Sequence, residues 1–205
     1  MIQKASPESI ARAVILLKRG RPVSFATDTV YALSSPVSDQ VSIARVFEIK
    51  RRPRNMALPI LISSIDDIDR VAIDVPEIAR ILTRHFWPGA LTLILNKTSL
   101  VSDIVTAGGN TVAVRMPNHP VAIELVKGVG IPLVGTSANI HGNSSPTTAE
   151  EVSTQIGSEV ELIIDSGKTP GGIESTIVDL SSKKIKILRQ GAIERKELEQ
   201  FCRLE

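Results

Sequence analysis

Short β-forming runs alternate with amphipathic helical segments along nearly the whole chain, and this alternation limits the fold more than any other feature. The β-rich runs are Pro22–Ala26, Leu58–Ile62, Leu91–Leu95, Thr111–Met116, Pro132–Gly135, Glu161–Asp165, Ser175–Leu180 and Lys184–Leu188. Between them lie helical segments with recognisable ends. Ser6 caps a first helix with Pro7 in its first turn, Ile10, Val14 and Leu17 share one face, and Gly20 stops it. Ser38–Lys50 is a second helix, with Val41, Ala44 and Ile49 expected inward. Ser64 opens a short helix, Pro76–Phe86 and His119–Lys127 are two more, and Glu194–Phe201 is the last. Thr147 and Glu150 have the spacing of a capping box that starts a further helix. Interleaved strands and helices, with hairpins near the C-terminal end, predict an α/β domain with a mixed sheet. No composition shift marks a linker, so residues 1–205 are read as one domain.

Composition closes off several functions. A net charge of +2 is far from the excess of a protein that coats polyanions. No apolar run reaches the roughly 18–20 residues of a membrane span, and the segment MIQKASPESI has no apolar stretch of the secretory kind. The single cysteine, Cys202, allows no internal disulfide and no cysteine-rich metal site within one chain. A reducing, cytoplasmic setting is therefore expected. His85, His119 and His141 lie far apart, and no phosphate-binding G-x-x-x-x-G-K-[ST] loop or G-x-G-x-x-G turn occurs.

The chemistry sits in polar turns at strand ends, where open α/β sheets tend to hold ligands. Thr27-Asp28-Thr29 sets two hydroxyls beside a carboxylate; the same pattern serves an ordinary Asx or Ser/Thr turn. Lys50, Arg51, Arg52 and Arg54 crowd a helix end around Pro53. They are either solvated cations complementing the helix dipole or a phosphate clamp. Arg115 lies among apolar residues in a predicted strand, so it needs an anion, either an internal carboxylate or a bound one. Ser137, Asn139 and Ser145 bring two hydroxyls and an amide into neighbouring loops, Ser145 just ahead of a predicted helix N-terminus. Ser175 follows another glycine-rich turn, and Arg189 ends the last strand region.

In this order, the stretches TDTVYAL, KRRP, WPGALT, VAVRMPNHP, GTSAN, SSPTTAEEV, GIESTIVD and LRQGAI resemble the YrdC/TsaC family of threonylcarbamoyl-AMP synthases, from about Ile10 to Ile193. The resemblance implies a twisted mixed sheet around a basic concave cavity. It also implies a reaction. L-Threonine and bicarbonate (or CO2) form an N-carboxy-threonine, which attacks the α-phosphorus of ATP and releases pyrophosphate. A threonylcarbamoyl-transferase complex then modifies an adenosine of tRNA.

By position, Lys50 and Arg52 match the family's ATP-binding and catalytic basic pair. Asn139, Ser145 and Arg189 match nucleotide-binding positions, with Ser137 at the junction of the two ligands, and Thr29, Arg115 and Ser175 match threonine-binding positions. Mg2+ is expected to travel on the phosphates, held by few protein ligands. The chain departs from the family pattern at Ala26, Ala32 and Leu61, and it corresponds to the short, single-domain form.

Two other readings use the same residues. A nucleic-acid-binding module without catalysis, in contact with tRNA, would use the basic cluster. One Trp, one Tyr and four Phe leave few platforms for stacking single-stranded bases. A serine hydrolase would use Ser137 in the turn after a strand, although the residue two positions on is Asn139 rather than the glycine of a nucleophile elbow.

Overall fold

The computed structural model describes residues 1–205. In chain order the elements are β1 (Ile2–Lys4), α1 (Pro7–Lys18), β2 (Val23–Ala26), β3 (Tyr31–Pro36), α2 (Gln40–Lys50) and β4 (Ile60–Leu61). A 3-10 turn (Ile65–Asp67) follows, then α3 (Ile68–Val71), β5 (Ala72–Ile73), α4 (Glu77–Phe86), β6 (Leu91–Lys97), α5 (Asp103–Thr106) and β7 (Thr111–Arg115). The chain continues through α6 (Pro120–Val129), β8 (Leu133–Ser137), α7 (Ala149–Ile156), β9 (Leu162–Asp165), β10 (Thr176–Asp179), β11 (Lys186–Arg189) and α8 (Arg195–Leu198).

The strands form one mixed sheet in the order β1-β9-β2-β3-β8-β4-β7-β6-β10-β11, with β5 paired to β6. The pairs β2–β3, β3–β8, β8–β4, β7–β6 and β10–β11 are antiparallel, whereas β1–β9, β9–β2, β4–β7 and β6–β10 are parallel. This is the predicted α/β class with a mixed sheet.

The pleat sorts side chains onto two faces. On one face Val112, Val114, Leu91, Leu93, Leu95, Val134 and Val178 join the larger apolar cluster, which takes in α2, α4 and α7. On the other face α1 and α6 pack their Ala13, Leu17, Ala122, Leu125 and Val126 against Phe25, Leu133 and Ile164. Those two helices cover only the β9-β2-β3-β8 end of that face. Beyond them the same face continues as Gly135, Ser137, Ala113, Arg115, Thr92, Ile94 and Ile177, which line an open cavity.

Several expectations need correction. Val41 is 82% exposed, whereas Ile49 is buried as expected, together with Ile43, Val46, Phe47 and Lys50. The helix starts later than expected, after Asp39, whose carboxylate accepts from the Ser42 amide at 2.9 Å. The i, i+3, i+4, i+7 stripe therefore runs from Ile43 to Lys50. The α7 cap is Thr148 rather than Thr147: its hydroxyl accepts from the Glu151 amide at 3.2 Å, and the Glu151 carboxylate reaches back to the Thr147 amide at 2.6 Å. The last helix is only Arg195–Leu198, and Leu58–Ile62 contributes only Ile60–Leu61 as strand. Ala26 and Ala32 sit in β2 and β3, away from the positive-φ positions, so alanine fits both without strain.

Candidate functional site

The cavity has a volume of about 460 Å3. Its floor is the uncovered sheet face, and its walls are the loops after β2, α2 and β8 and the loop before β10. Thr29, Arg52, Arg115, Ser137, Asn139, Ser145, Ser175 and Arg189 all line it, so eight of the nine residues expected at the site converge in one hollow.

Arg115, at the end of β7, is 7% exposed. Its Nε donates to the Gly89 carbonyl at 2.9 Å, Nη1 to the Thr29 hydroxyl at 2.8 Å and Nη2 to Asp28 Oδ1 at 2.6 Å. Burial pulls its pKa down and the Asp28 charge opposes this. A guanidinium has five N–H donors. Arg115 spends three, which leaves one on each terminal nitrogen for an anion in the cavity. The internal carboxylate of Asp28 therefore holds Arg115, and two of its donors stay open. Asp28 also accepts from the Asn118 amide at 3.0 Å, which locks the turn Thr27–Thr29 onto the segment after β7. The Thr27 and Thr29 hydroxyls lie 3.0 Å apart.

Along the opposite wall, Ser175 is fixed by the Thr92 hydroxyl at 2.8 Å, and Arg189 donates from Nε and Nη2 to the Ser175 carbonyl at 3.1 and 3.0 Å. Arg189 Nη1 pairs with Glu174, whose other oxygen accepts from the Ser145 hydroxyl at 2.7 Å. Gly191 makes this wall possible. A Cβ there would lie 2.2 Å from the Glu174 carbonyl oxygen and 2.5 Å from the Thr176 nitrogen, so only glycine lets the segment after Arg189 run so close to β10.

The basic cluster divides. Arg51 is a left-handed helix end at φ 50° and points to solvent, and Arg54 lies 4.0 Å from Glu48 on the outside. The left-handed turn aims Arg52 into the cavity, where Nη2 holds the Ala57 carbonyl at 3.0 Å and the buried Nε has no partner.

Lys50, expected as an ATP-binding and catalytic lysine, is not among the residues that line the cavity. It is 1% exposed, and Nζ donates to the Ser137 carbonyl and, at 2.9 Å each, to the Asn139 carbonyl and Oδ1. Its three protons are thereby spent. Burial pushes its pKa down to about 7, with Arg52 adding to the effect and Glu174 opposing it. Lys50 therefore sits behind Asn139 and orients it. Asn139 Oδ1 also accepts from the Ser137 hydroxyl at 2.6 Å, and Nδ2 donates to the Asn143 carbonyl at 2.7 Å. The Ser137 hydroxyl thus donates to an amide oxygen and not to a base, which speaks against the serine-hydrolase reading.

Sequence reasoning gave no role to Glu174, Thr92, Asn143 or His141, all of which line the cavity. Glu174 and Thr92 lie inside the stretches GIESTIVD and WPGALT, so the signal was present in the motifs without a role attached.

Residues 15–191 match the Sua5–YciO–YrdC family, whose description reads "Telomere recombination". The chain belongs to this family. Among members, it is 40% identical over 183 residues to the threonylcarbamoyl-AMP synthase of Pyrococcus abyssi, spanning 89% of this chain and 54% of that protein. It is 39% identical over 191 residues to the Bacillus subtilis synthase, spanning 93% of this chain and 55% of that protein. The chain thus covers about half the length of these two relatives. A Mycobacterium tuberculosis putative threonylcarbamoyl-AMP synthase is 39% identical, with 92% of this chain and 88% of that protein covered. The solved structure of P. abyssi Sua5 with L-threonine superposes with a TM-score of 0.94 at 38% identity, over 98% of this chain and 59% of that one. E. coli YciO shares the fold with a TM-score of 0.85 at 24% identity, over 97% of both chains.

Proposed function

We propose that this member of the family makes threonylcarbamoyl-AMP from L-threonine, bicarbonate (or CO2) and ATP. The observation that carries the reading is the cavity itself: Arg52, Arg115 and Arg189 share one hollow with Thr29, Ser137, Asn139, Ser145 and Ser175. The reaction crowds a carboxylate, a carbamate and a triphosphate together, and fixed cations are what such crowding requires.

The two open N–H groups of Arg115 take the amino-acid carboxylate, with Thr29 and Ser175 beside it. A carbamate oxygen of N-carboxy-threonine forms a bond to the α-phosphorus, the bond to the bridging oxygen breaks, and pyrophosphate leaves with that electron pair. Arg52 faces the phosphates. Asn139, held from behind by Lys50, and Ser145 and Arg189 position the nucleotide, with Ser137 between the two ligands. No protein nucleophile takes part; the chain positions the reactants and stabilises charge.

Nowhere do three or more His, Cys, Asp or Glu side chains gather as a metal site. The one carboxylate lining the cavity, Glu174, is already paired with Ser145 and Arg189. These residues do not compose a resident metal site, and Mg2+ enters as part of the substrate, carried on the ATP phosphates. The product is a labile adenylate, for which a threonylcarbamoyl-transferase complex acting on tRNA in the cytoplasm is the proposed consumer.

The test is pyrophosphate release from ATP, with threonine and bicarbonate omitted in turn. Release should require both, and Arg52→Ala should lower it by about 100-fold or more. Release indifferent to both omissions, or full activity in Arg52→Ala, overturns the assignment. Tight tRNA binding with a steep salt dependence and no ATP turnover would instead identify the RNA-binding module.

A further inference from the structure

Three arginines face a cavity that contains one carboxylate, and that carboxylate sits where an anion is wanted. Glu174 accepts from the Ser145 hydroxyl at 2.7 Å with one oxygen and pairs with Arg189 through the other. Ser145 and Arg189 are the two groups on this wall with donors suited to a phosphate or a ribose oxygen. Arg189 has turned its remaining donors to Ser175, at 3.0–3.2 Å. The Glu174 pair is also not deeply buried, with the two side chains 35% and 41% exposed. Water screens it, so it can be exchanged for another anion at modest cost.

We propose that Glu174 sets the nucleotide affinity of the cavity. Its carboxylate stands in for the anion that Ser145 and Arg189 are placed to hold, and the nucleotide enters by displacing it. The inference rests on the proposed nucleotide-binding role of Ser145 and Arg189.

The experiment is calorimetric titration of ATP with Mg2+ into the whole chain, comparing wild type, Glu174→Gln and Glu174→Ala, with thermal melting as a check that each variant folds. Glutamine keeps an acceptor for Ser145 and removes the charge. If the carboxylate occupies its subsite about nine-tenths of the time, its removal tightens ATP binding about tenfold, because a ligand that needs a state populated one part in ten is weakened by that factor. Glu174→Ala should bind ATP at least as tightly as wild type. Equal or weaker binding in both variants overturns the proposal, and weaker binding identifies Glu174 as a direct contact of the nucleotide or its metal ion. Absence of ATP binding in all three proteins overturns the functional reading and this inference with it, whereas ATP binding by wild type with no gain in the variants overturns this inference alone.

Discussion

Replacing Asp28 with asparagine changes one charge and almost no shape. Asn Oδ1 can still accept from Arg115 Nη2 and the Asn118 amide, which now lie 2.6 and 3.0 Å from Asp28 Oδ1. What disappears is the counter-charge of a guanidinium whose side chain is 8% exposed. Removing one partner of a buried ion pair costs about 3–5 kcal/mol. The retained hydrogen bonds, together with those to Gly89 and Thr29, bring the expected loss to about 2–3 kcal/mol. At about 2–4 °C per kcal/mol for a chain of this size, the melting temperature should fall by roughly 4–12 °C.

Thermal unfolding of Asp28→Asn, Arg115→Met and the double variant measures this. In the Arg115→Met background the asparagine should cost little, giving a coupling of about 2 kcal/mol. Saturating threonine should then raise the melting temperature of Asp28→Asn more than that of wild type, because its carboxylate replaces the missing charge. A fall within about 1 °C, or the same fall in both backgrounds, refutes the account of Arg115. Equal stabilisation by threonine refutes its role as the carboxylate site.

Lys50 predicts a pH signature. Its folded pKa of about 7 lies below the ordinary 10.5, so between those values the unfolded chain holds a proton that the folded one lacks. From this group, stability is flat below about pH 7 and rises with pH up to 10.5. Urea unfolding from pH 7 to 10 should show that rise in wild type and lose it in Lys50→Met; equal slopes would contradict the placement. Gly135→Ala should destabilise by about 1–3 kcal/mol, because its Cβ would lie 2.4 Å from Leu61 Cδ1 in the cavity floor. Adding Leu61→Ala should remove most of that specific clash, measured as a non-additive cycle in denaturant unfolding.

The strands β6 and β7 and the helix α4 are legible in the sequence because their patterns are local: β-rich runs over Leu91–Leu95 and Thr111–Met116, and a helical segment over Pro76–Phe86. β3 was missed for an equally physical reason. Tyr31-Ala32-Leu33-Ser34-Ser35-Pro36 ends like a turn, yet all six residues are buried in the sheet, and the Ser34 and Ser35 hydroxyls have no hydrogen-bond partner. Its neighbours β2 and β8 decide that placement, and β8 is a hundred residues distant in sequence. Lys50 is buried on account of its periodicity and not of its charge. It lies seven residues after Ile43 on the inward stripe of α2, a pattern that points a side chain inward whatever its charge. Arg115 was legible because burial and charge conflict within one short run. Glu174 carried no such conflict, and only the fold sets it against Ser145 and Arg189.

The floor of the hollow spans strands that are neighbours in the sheet and strangers along the chain, from Thr27 to Arg189. A molecule seated there ties the two ends of the polypeptide together through its middle. At a hundred times its dissociation constant it would add about 2.7 kcal/mol to the whole fold, so occupancy should slow proteolysis even at sites far from the ligand.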